Sequence, residues 1–498
     1  MIELNKFEFW FLTGSQDLYG DETLRQVAED SKKVVEAFNA DGAMPCKLVW
    51  KPTLLTPETI RACLEEANAN PRCAGVVAWM HTFSPAKMWI AGLSSYKKPL
   101  LQFNTQFNRD IPYATIDMDF MNLNQSAHGD REFGFITARM DMPRKVVVGH
   151  WNEAGTRDRI GRWMRAACAV ADGKSLRIAR FGDNMREVAV TDGDKVEAMI
   201  KLGWSVPYYG VGDLVAYMDR VTAAEIDQTV KGYEARYELP KGEAGALEHI
   251  REQAKIEVAL RAFARDNAIN AFTTNFQDLH GLKQLPGLAC QSLMADGFGF
   301  AGEGDWKTAA MVRTFKVMSS GLAKAQGDGD SFMEDYTYNL DPANGMNLGA
   351  HMLEICPSIA AGKPAVEVHP LGIGGKADPA RLVFTGKAGP AICAAVVDFG
   401  SRFRCVLNEV EAVVPPASFP KLPVARVLWK PLPDLRTAAE AWILAGGGHH
   451  TAYSNLVTTD MVRDWAEMVG IEFLTIDRDT TVPRFRDELR WNAAAWRA

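Results

Sequence analysis

Four short stretches put ionisable side chains where a folded protein avoids them without a reason: AGEGDWKTAAM (301–311), SFMEDYTYNL (331–340), NLGAHMLEICP (347–357) and AWILAGGGHHT (441–451). In the first, Glu303 lies between two glycines, ahead of a helix-spaced series of Met311, Phe315, Met318 and Leu322. Taken alone it reads as a solvated loop carboxylate, with Asp305 as the helix N-cap. In the second, strand alternation puts Phe332, Glu334, Tyr336 and Tyr338 on one face. A carboxylate among aromatic rings must be neutralised, paired or bound to a cation, because desolvation penalises its charge. In the third, a strand reading groups His351 with Leu353 and Ile355 and turns Glu354 to the opposite side; alone, His351 reads as a hydrogen-bonded core histidine. In the fourth, three glycines precede His449 and His450. Adjacent residues of an extended segment point to opposite sides, so the two rings are expected to serve different ends, and the glycines would let the backbone approach a ligand.

Two carboxylates with two imidazoles, one of them from the His449–His450 pair, form an N₂O₂ donor set. Such a set suits Mn²⁺ or another divalent ion that keeps positions open for water or substrate. It has no thiolate, which argues against a structural zinc site. The gaps of 31, 17 and 99 residues between Glu303, Glu334, His351 and the pair are non-local, so only a fold can bring the four together.

The elements that would do so alternate. FEFWFLTG (7–14), CKLVW (46–50), AGVVAWM (74–80), PLLQF (99–103) and KVVVGHW (145–151) read as buried strands, each followed by a loop or helix. After the first strand, Leu24, Val27, Ser31, Val34, Val35 and Phe38 fall at helical spacing, and Thr23 with Gln26 fits a capping box. This alternation predicts a doubly wound, largely parallel sheet, whose ligands sit beyond the carboxyl ends of the strands, where GSQDLYG, HTFSP and NTQFN lie. A second α/β block is expected from LRIARFGDNM (176–185) through AINAFTTNF (268–276) to the polar loop GLAKAQGDGDS. Beyond it, RLVFTG, PAICAAVVDFG and RFRCVLNEVEAVV predict antiparallel or mixed β structure, with a hairpin turn at Gly400-Ser401 and closing helices at TAAEAWILA and TDMVRDWAEMVG. The GxGxxG spacing of Gly297, Gly299 and Gly302 follows a helix-like segment rather than a strand and reads as coincidence. GIGGKADPA (372–380) lacks the spacing of a phosphate loop and reads as structural or sugar-facing.

Composition narrows the function. Hydrophobic residues make up 47% of the 498, enough for more than one core, and the net charge of -7 without a basic block disfavours nucleic acid and anionic membrane as partners. Eight scattered cysteines without a CxxC pair read as buried thiols of a reducing compartment. With neither a signal-like start nor a long apolar run, a cytoplasmic protein is expected.

The four stretches, together with GSQDLYG, HTFSPAKMWI, LLQFNTQFN, IDMDFMNLNQSAHG, RFGDNMREVAVTDGDKV and DLHGLKQLPGLA, closely resemble the bacterial L-arabinose isomerase family. The resemblance implies an α/β fold of the fucose isomerase-like type. Two Rossmann-like doubly wound domains (1–174 and 175–327) precede a β-rich C-terminal domain with closing helices (328–498), in a homohexamer with its active sites at subunit interfaces. It implies Mn²⁺ on Glu303, Glu334, His351 and His450, making the second histidine of the pair the ligand and turning His449 toward the sugar or the ligands' surroundings. It also implies a sugar pocket of Gln16, Leu18, Tyr19, Phe83, Met185, Phe276 and Ile373, with His128 entering from a neighbouring subunit. Two departures, a longer AKAQGDGD loop and GGG where Gly-Gly-Ala is usual, touch no implied ligand.

The implied reaction interconverts L-arabinose and L-ribulose through a cis-enediol, with Glu303 and Glu334 as the catalytic pair and a hydride shift as the alternative route. D-Galactose to D-tagatose conversion is an expected side activity, since one substituent changes specificity by only about 10- to 200-fold. Three rivals stand beside it. A glycosidase using Glu303 and Glu334 would leave the histidines idle and survive chelation. A sugar-binding receptor would leave the β-rich domain unexplained, and an L-fucose isomerase would differ in a few pocket contacts.

Overall fold

The computed structural model describes residues 2–241 and 245–496. By compactness the chain divides into residues 3–171 and a larger unit made of Ile2 and the stretch from Asp172 onward.

In the first unit, β1 (Glu8–Gly14), β2 (Lys47–Trp50), β3 (Cys73–Met80), β4 (Leu100–Asn104) and β5 (Lys145–Val148) form one parallel sheet in the order β2-β1-β3-β4-β5. Its central strand β3 is buried along its whole length, as expected of a parallel strand covered on both faces. Trp10, Leu12, Val76, Ala78, Trp89 and Phe133 share one of its cores. The first helix runs Gly20–Asn39 and buries Val27, Ser31, Val34, Val35 and Phe38. It begins ahead of Thr23, so the expected capping box does not form: Asp21 and Glu22 in the first turn face the helix dipole instead.

Asp130, on the helix Ser126–Arg139, is buried against this sheet and accepts a hydrogen bond from Asn104 Nδ2 at 2.9 Å. Burial raises its carboxyl from 3.8 to about 8, against the opposing pull of its amide neighbours. A raised folded pKa means stability is fullest below pH 3.8 and falls as the pH climbs toward 8. Asp130→Asn is expected to be the more stable protein at pH 8 and to lose that advantage at acid pH, checked by urea unfolding at both; equal pH slopes for the two proteins would contradict this.

The larger unit opens with a second parallel sheet, β6 (Ile178–Phe181), β7 (Tyr208–Tyr209), β8 (Ala271–Thr274) and β9 (Gly299–Ala301), ordered β7-β6-β8-β9. The helix Gly287–Ala295 precedes Gly297, Gly299 and Gly302, as the coincidence reading requires. A Cβ on Gly299 would lie 2.1 Å from the Ala309 carbonyl oxygen, so this glycine serves close helix–strand packing.

The remaining strands are β10 (Asp330–Asn339), β11 (Met346–Ala350), β12 (Ala365–Val368), β13 (Ala380–Val383), β14 (Gly389–Asp398), β15 (Phe403–Val413), β16 (Arg426–Pro431), β17 (His450–Ser454) and β18 (Glu472–Ile476). The chain of pairings β14-β17-β10-β11-β16-β15 returns to β14, so six antiparallel strands close into a barrel, and β18 adds to β15 in parallel. Closure removes the exposed edges that a flat sheet would present. Met333, Cys393, Val410, Val427, Trp429 and Tyr453 contribute to its core, each large apolar side chain adding roughly 1.5–3 kcal/mol relative to exposure. The β14–β15 hairpin turns through Gly400, as expected, and the closing helices are Leu435–Leu444 and Thr459–Val469.

The helix Trp306–Ser319 joins the parallel sheet to the barrel, and all its side chains except Arg313 are buried. Met311, Phe315 and Met318 lie on it, while Leu322 falls in the loop beyond. A helix apolar on every side must be covered on every side. The boundary expected at 327/328 falls just beyond this helix, inside the larger compact unit. Among the described residues, no helix is long and apolar enough to cross a membrane.

Candidate functional site

The barrel's register assembles half of the site. Glu334 on β10 is paired with His450 on β17 and, on its other side, with Ala350, the last residue of β11. His351 follows directly, and its Nε2 lies 3.9 Å from Glu334 Oε2. The other half comes from the parallel sheet. Glu303 sits in the loop that follows β9, where ligands of such sheets gather, with its Oε2 3.8 Å from His450 Nε2. Candidate ligand atoms of Glu303, His351 and His450 lie within 4.8 Å of one another, and so do those of Glu334, His449 and His450.

Each buried histidine has a carboxylate behind it. His351 Nδ1 donates to Glu354 Oε2 at 2.5 Å, and His450 Nδ1 donates to Asp305 Oδ2 at 3.2 Å. Spending the proton on Nδ1 leaves the Nε2 lone pair directed into the site, the arrangement in which imidazoles bind metals. His450 Nε2 is buried and has no hydrogen-bond partner. A polar atom left in that state calls for a ligand or an ion. Nitrogen and oxygen donors around this lone pair fit a divalent cation.

The charges agree in direction. Burial pushes Glu303 upward, but His449, His450 and His351 outweigh it and hold its carboxyl below the usual carboxylate range. Burial presses His351 downward, but Glu354, together with Glu334 and Glu303, outweighs it and raises the imidazole above its usual range. Asp305 is held down at about 2 despite its burial, chiefly by the Lys307 ammonium 3.8 Å away and by His450.

Several local expectations change. Glu303 is half-buried rather than solvated and takes φ +62°, a left-handed conformation that costs a side-chain-bearing residue roughly 1–3 kcal/mol. Asp305 does cap the helix, accepting from Thr308 N, and its second oxygen holds His450, a role the cap signature does not reveal. His351 is not in a strand: the chain leaves β11 and turns, bringing Glu354 back onto its ring instead of away from it. A bulge in β10 between Asp335 and Thr337 breaks the assumed alternation. Tyr338 consequently lines a small cavity beside Asp335 and Trp429 rather than sharing a face with Glu334.

His449 and His450 do not point apart. Their ring centroids are 4.3 Å from each other, and His449 Nε2 lies 3.6 Å from the same Glu303 oxygen, because His449 precedes the strand that His450 begins. The glycines ahead of them answer to packing: a Cβ on Gly447 would meet the Trp442 ring at 2.4 Å, and one on Gly448 would meet Val190 at 2.7 Å.

Of the sugar-pocket candidates in this unit, Phe276 stacks on His351 at 5.9 Å, and Met185 N donates to the Glu303 carbonyl at 3.1 Å. Ile373 is exposed in the loop between β12 and β13, where no helix follows GIGGKADPA. In the other unit, Phe83 stacks on His128 at 4.3 Å, the Tyr19 hydroxyl approaches Gln125 at 3.5 Å, and after β1 Gln16 leads into the short 3₁₀ helix Asp17–Tyr19 that carries Leu18. Phe332, buried between the imidazoles, meets His351 and His450 edge-on at 4.9 and 5.0 Å. Its place on the Glu334 side of β10 was the signal for it.

Residues 3–175, 177–321 and 329–472 match, in turn, the N-terminal, central and C-terminal domains of L-arabinose isomerase. The chain belongs to the L-arabinose isomerase family. The L-arabinose isomerase of Geobacillus stearothermophilus is 59% identical over 500 residues, covering all of both chains. Those of Anoxybacillus flavithermus and Thermotoga maritima are 58% identical, over 499 and 496 residues, covering this whole chain and 99% of each relative. Membership makes this protein an aldose–ketose isomerase and sets the glycosidase and receptor readings aside.

Proposed function

We propose that the protein interconverts L-arabinose and L-ribulose with one divalent ion, Mn²⁺ by preference, held by Glu303, Glu334, His351 and His450. The observation that carries this reading is the buried, partnerless His450 Nε2 facing Glu303, beside a second histidine oriented in the same way by its own carboxylate. An ion held there would supply Lewis-acid stabilisation to the sugar oxygens as they gain negative charge.

The proton work falls to the chain. One of Glu303 and Glu334 removes the C2 proton of the open-chain aldose to give a cis-enediol, and the other manages the hydroxyl proton or returns a proton to C1. His449, against Glu303 and raised in basicity chiefly by it, is placed to donate to a sugar hydroxyl. Gln16, Leu18, Tyr19, Phe83, Met185, Phe276 and Ile373 would line the sugar, with His128 entering from a neighbouring subunit of a cytoplasmic homohexamer. D-Galactose would be converted more slowly. Residues 1–174, 175–327 and 328–498 are read as three domains.

The test is incubation of purified protein with L-arabinose and Mn²⁺ in D₂O. L-Ribulose bearing deuterium at C1 is the expected product. Ketose without deuterium would favour the hydride shift, and no ketose at all would overturn the assignment.

A further inference from the structure

We propose that Cys46 and Cys168 form a redox couple in the N-terminal unit, closing to a disulfide when hydrogen peroxide oxidises Cys46. The pair lies outside the isomerase site and is unused by it. All eight cysteines are free, seven are buried, and Cys46 is the one that is partly exposed. Its Sγ lies 4.0 Å from that of Cys168. A disulfide needs about 2.05 Å, so the two sulfurs must approach by about 2 Å.

The backbone holds the two sulfurs in register. Arg157, Gly161, Arg165 and Cys168 recur at helical spacing along one face of Ala154–Gly173. Arg157 Nε pairs with Asp41 Oδ2 at 2.6 Å, fixing the start of the loop that leads to Cys46. At Gly161 that loop comes so close that a Cβ would lie 2.3 Å from the Ala43 carbonyl oxygen. Cys168 lies two turns further along, where the same loop enters β2.

The surroundings are electropositive. The charges of Arg165 and Lys6 act on Cys168, and Arg165 acts on Cys46 as well. A partly exposed thiol is the one peroxide reaches first, while a buried neighbour serves as the resolving thiol. Burial holds the Cys168 thiol well above its usual range, which suits the second step and disfavours it as the first nucleophile.

The steps balance. Cys46 Sγ attacks one peroxide oxygen, the O–O bond breaks, and sulfenic acid and water result. Cys168 Sγ then attacks Cys46 Sγ; the S–S bond forms, the S–O bond breaks, and the hydroxyl leaves as water with the Cys168 proton. Two thiols have given two electrons to one peroxide. The bond would clamp the loop before β2 to the last helix of this unit.

The full-length protein is treated with hydrogen peroxide at low molar excess and digested without reduction. A Cys46–Cys168 linked peptide is expected, at least tenfold more abundant than any other cysteine pair, lacking two hydrogens and released by dithiothreitol. In Cys168→Ser, a sulfenic acid trapped by dimedone should accumulate on Cys46; in Cys46→Ser, Cys168 should stay reduced. Circular dichroism establishes that both variants fold, and the linked peptide in the unaltered protein stands without them. Oxidation of Cys46 to sulfinic acid with Cys168 still a thiol, or a different pair as the main product, would overturn the proposal.

Discussion

Replacing Glu303 with glycine is expected to give a protein that unfolds later and turns over no sugar. Glu303 holds φ +62°, which glycine adopts freely. Relief of the left-handed strain is worth about 1 kcal/mol net in the metal-free protein, after the greater freedom of glycine in the unfolded chain is subtracted. Turnover should fall by about 10³-fold or more, because proton transfer and an anionic donor are lost together. Glu303→Gln keeps the strain and should lose activity without gaining stability. Urea unfolding of the stripped proteins beside initial rates of ketose formation separates the two effects. A glycine variant no more stable than the parent would remove the strain argument, and one still active would remove the carboxylate from the chemistry.

Asp305 is expected to matter nearly as much without touching the ion. It caps the helix Trp306–Ser319, fixes the His450 tautomer and faces the buried Lys307. Asp305→Asn retains an oxygen for the cap but offers an amide N–H or a neutral acceptor to His450 Nδ1, so the proton is no longer held there. Mn²⁺ affinity should fall about 10- to 100-fold, as for other residues that orient metal-binding imidazoles. Asp305→Ala should further cost about 3–5 kcal/mol of stability, since the Lys307 ammonium stays buried without its carboxylate. Calorimetric Mn²⁺ titration reads the first and urea unfolding the second. Unchanged affinity in Asp305→Asn would show that Asp305 only caps the helix.

The parallel strands were legible because their signal is local. An apolar run such as AGVVAWM needs cover on both faces, and β3 has it. Barrel closure was not, because β14 meets β15 through a hairpin but β17 only across a long stretch of chain. The site residues stood out as charges among aromatic or apolar neighbours, yet their surroundings were misjudged wherever the backbone departs from ideal alternation. The bulge after Asp335 moved Tyr338 to another face, and the turn after Ala350 brought Glu354 onto His351. A His-x-x-Glu spacing read as a turn would have found Glu354. Asp305 carried a cap signature that accounted for it fully, so nothing prompted a second role.

The most direct measurement is ketose formation from L-arabinose by chelator-stripped protein titrated with Mn²⁺, beside His450→Ala treated identically. Stripped protein is expected to be inactive and to recover along the same Mn²⁺ curve that describes binding, with the variant recovering neither binding nor rate. Full activity in both stripped proteins would contradict a metal centre built on His450.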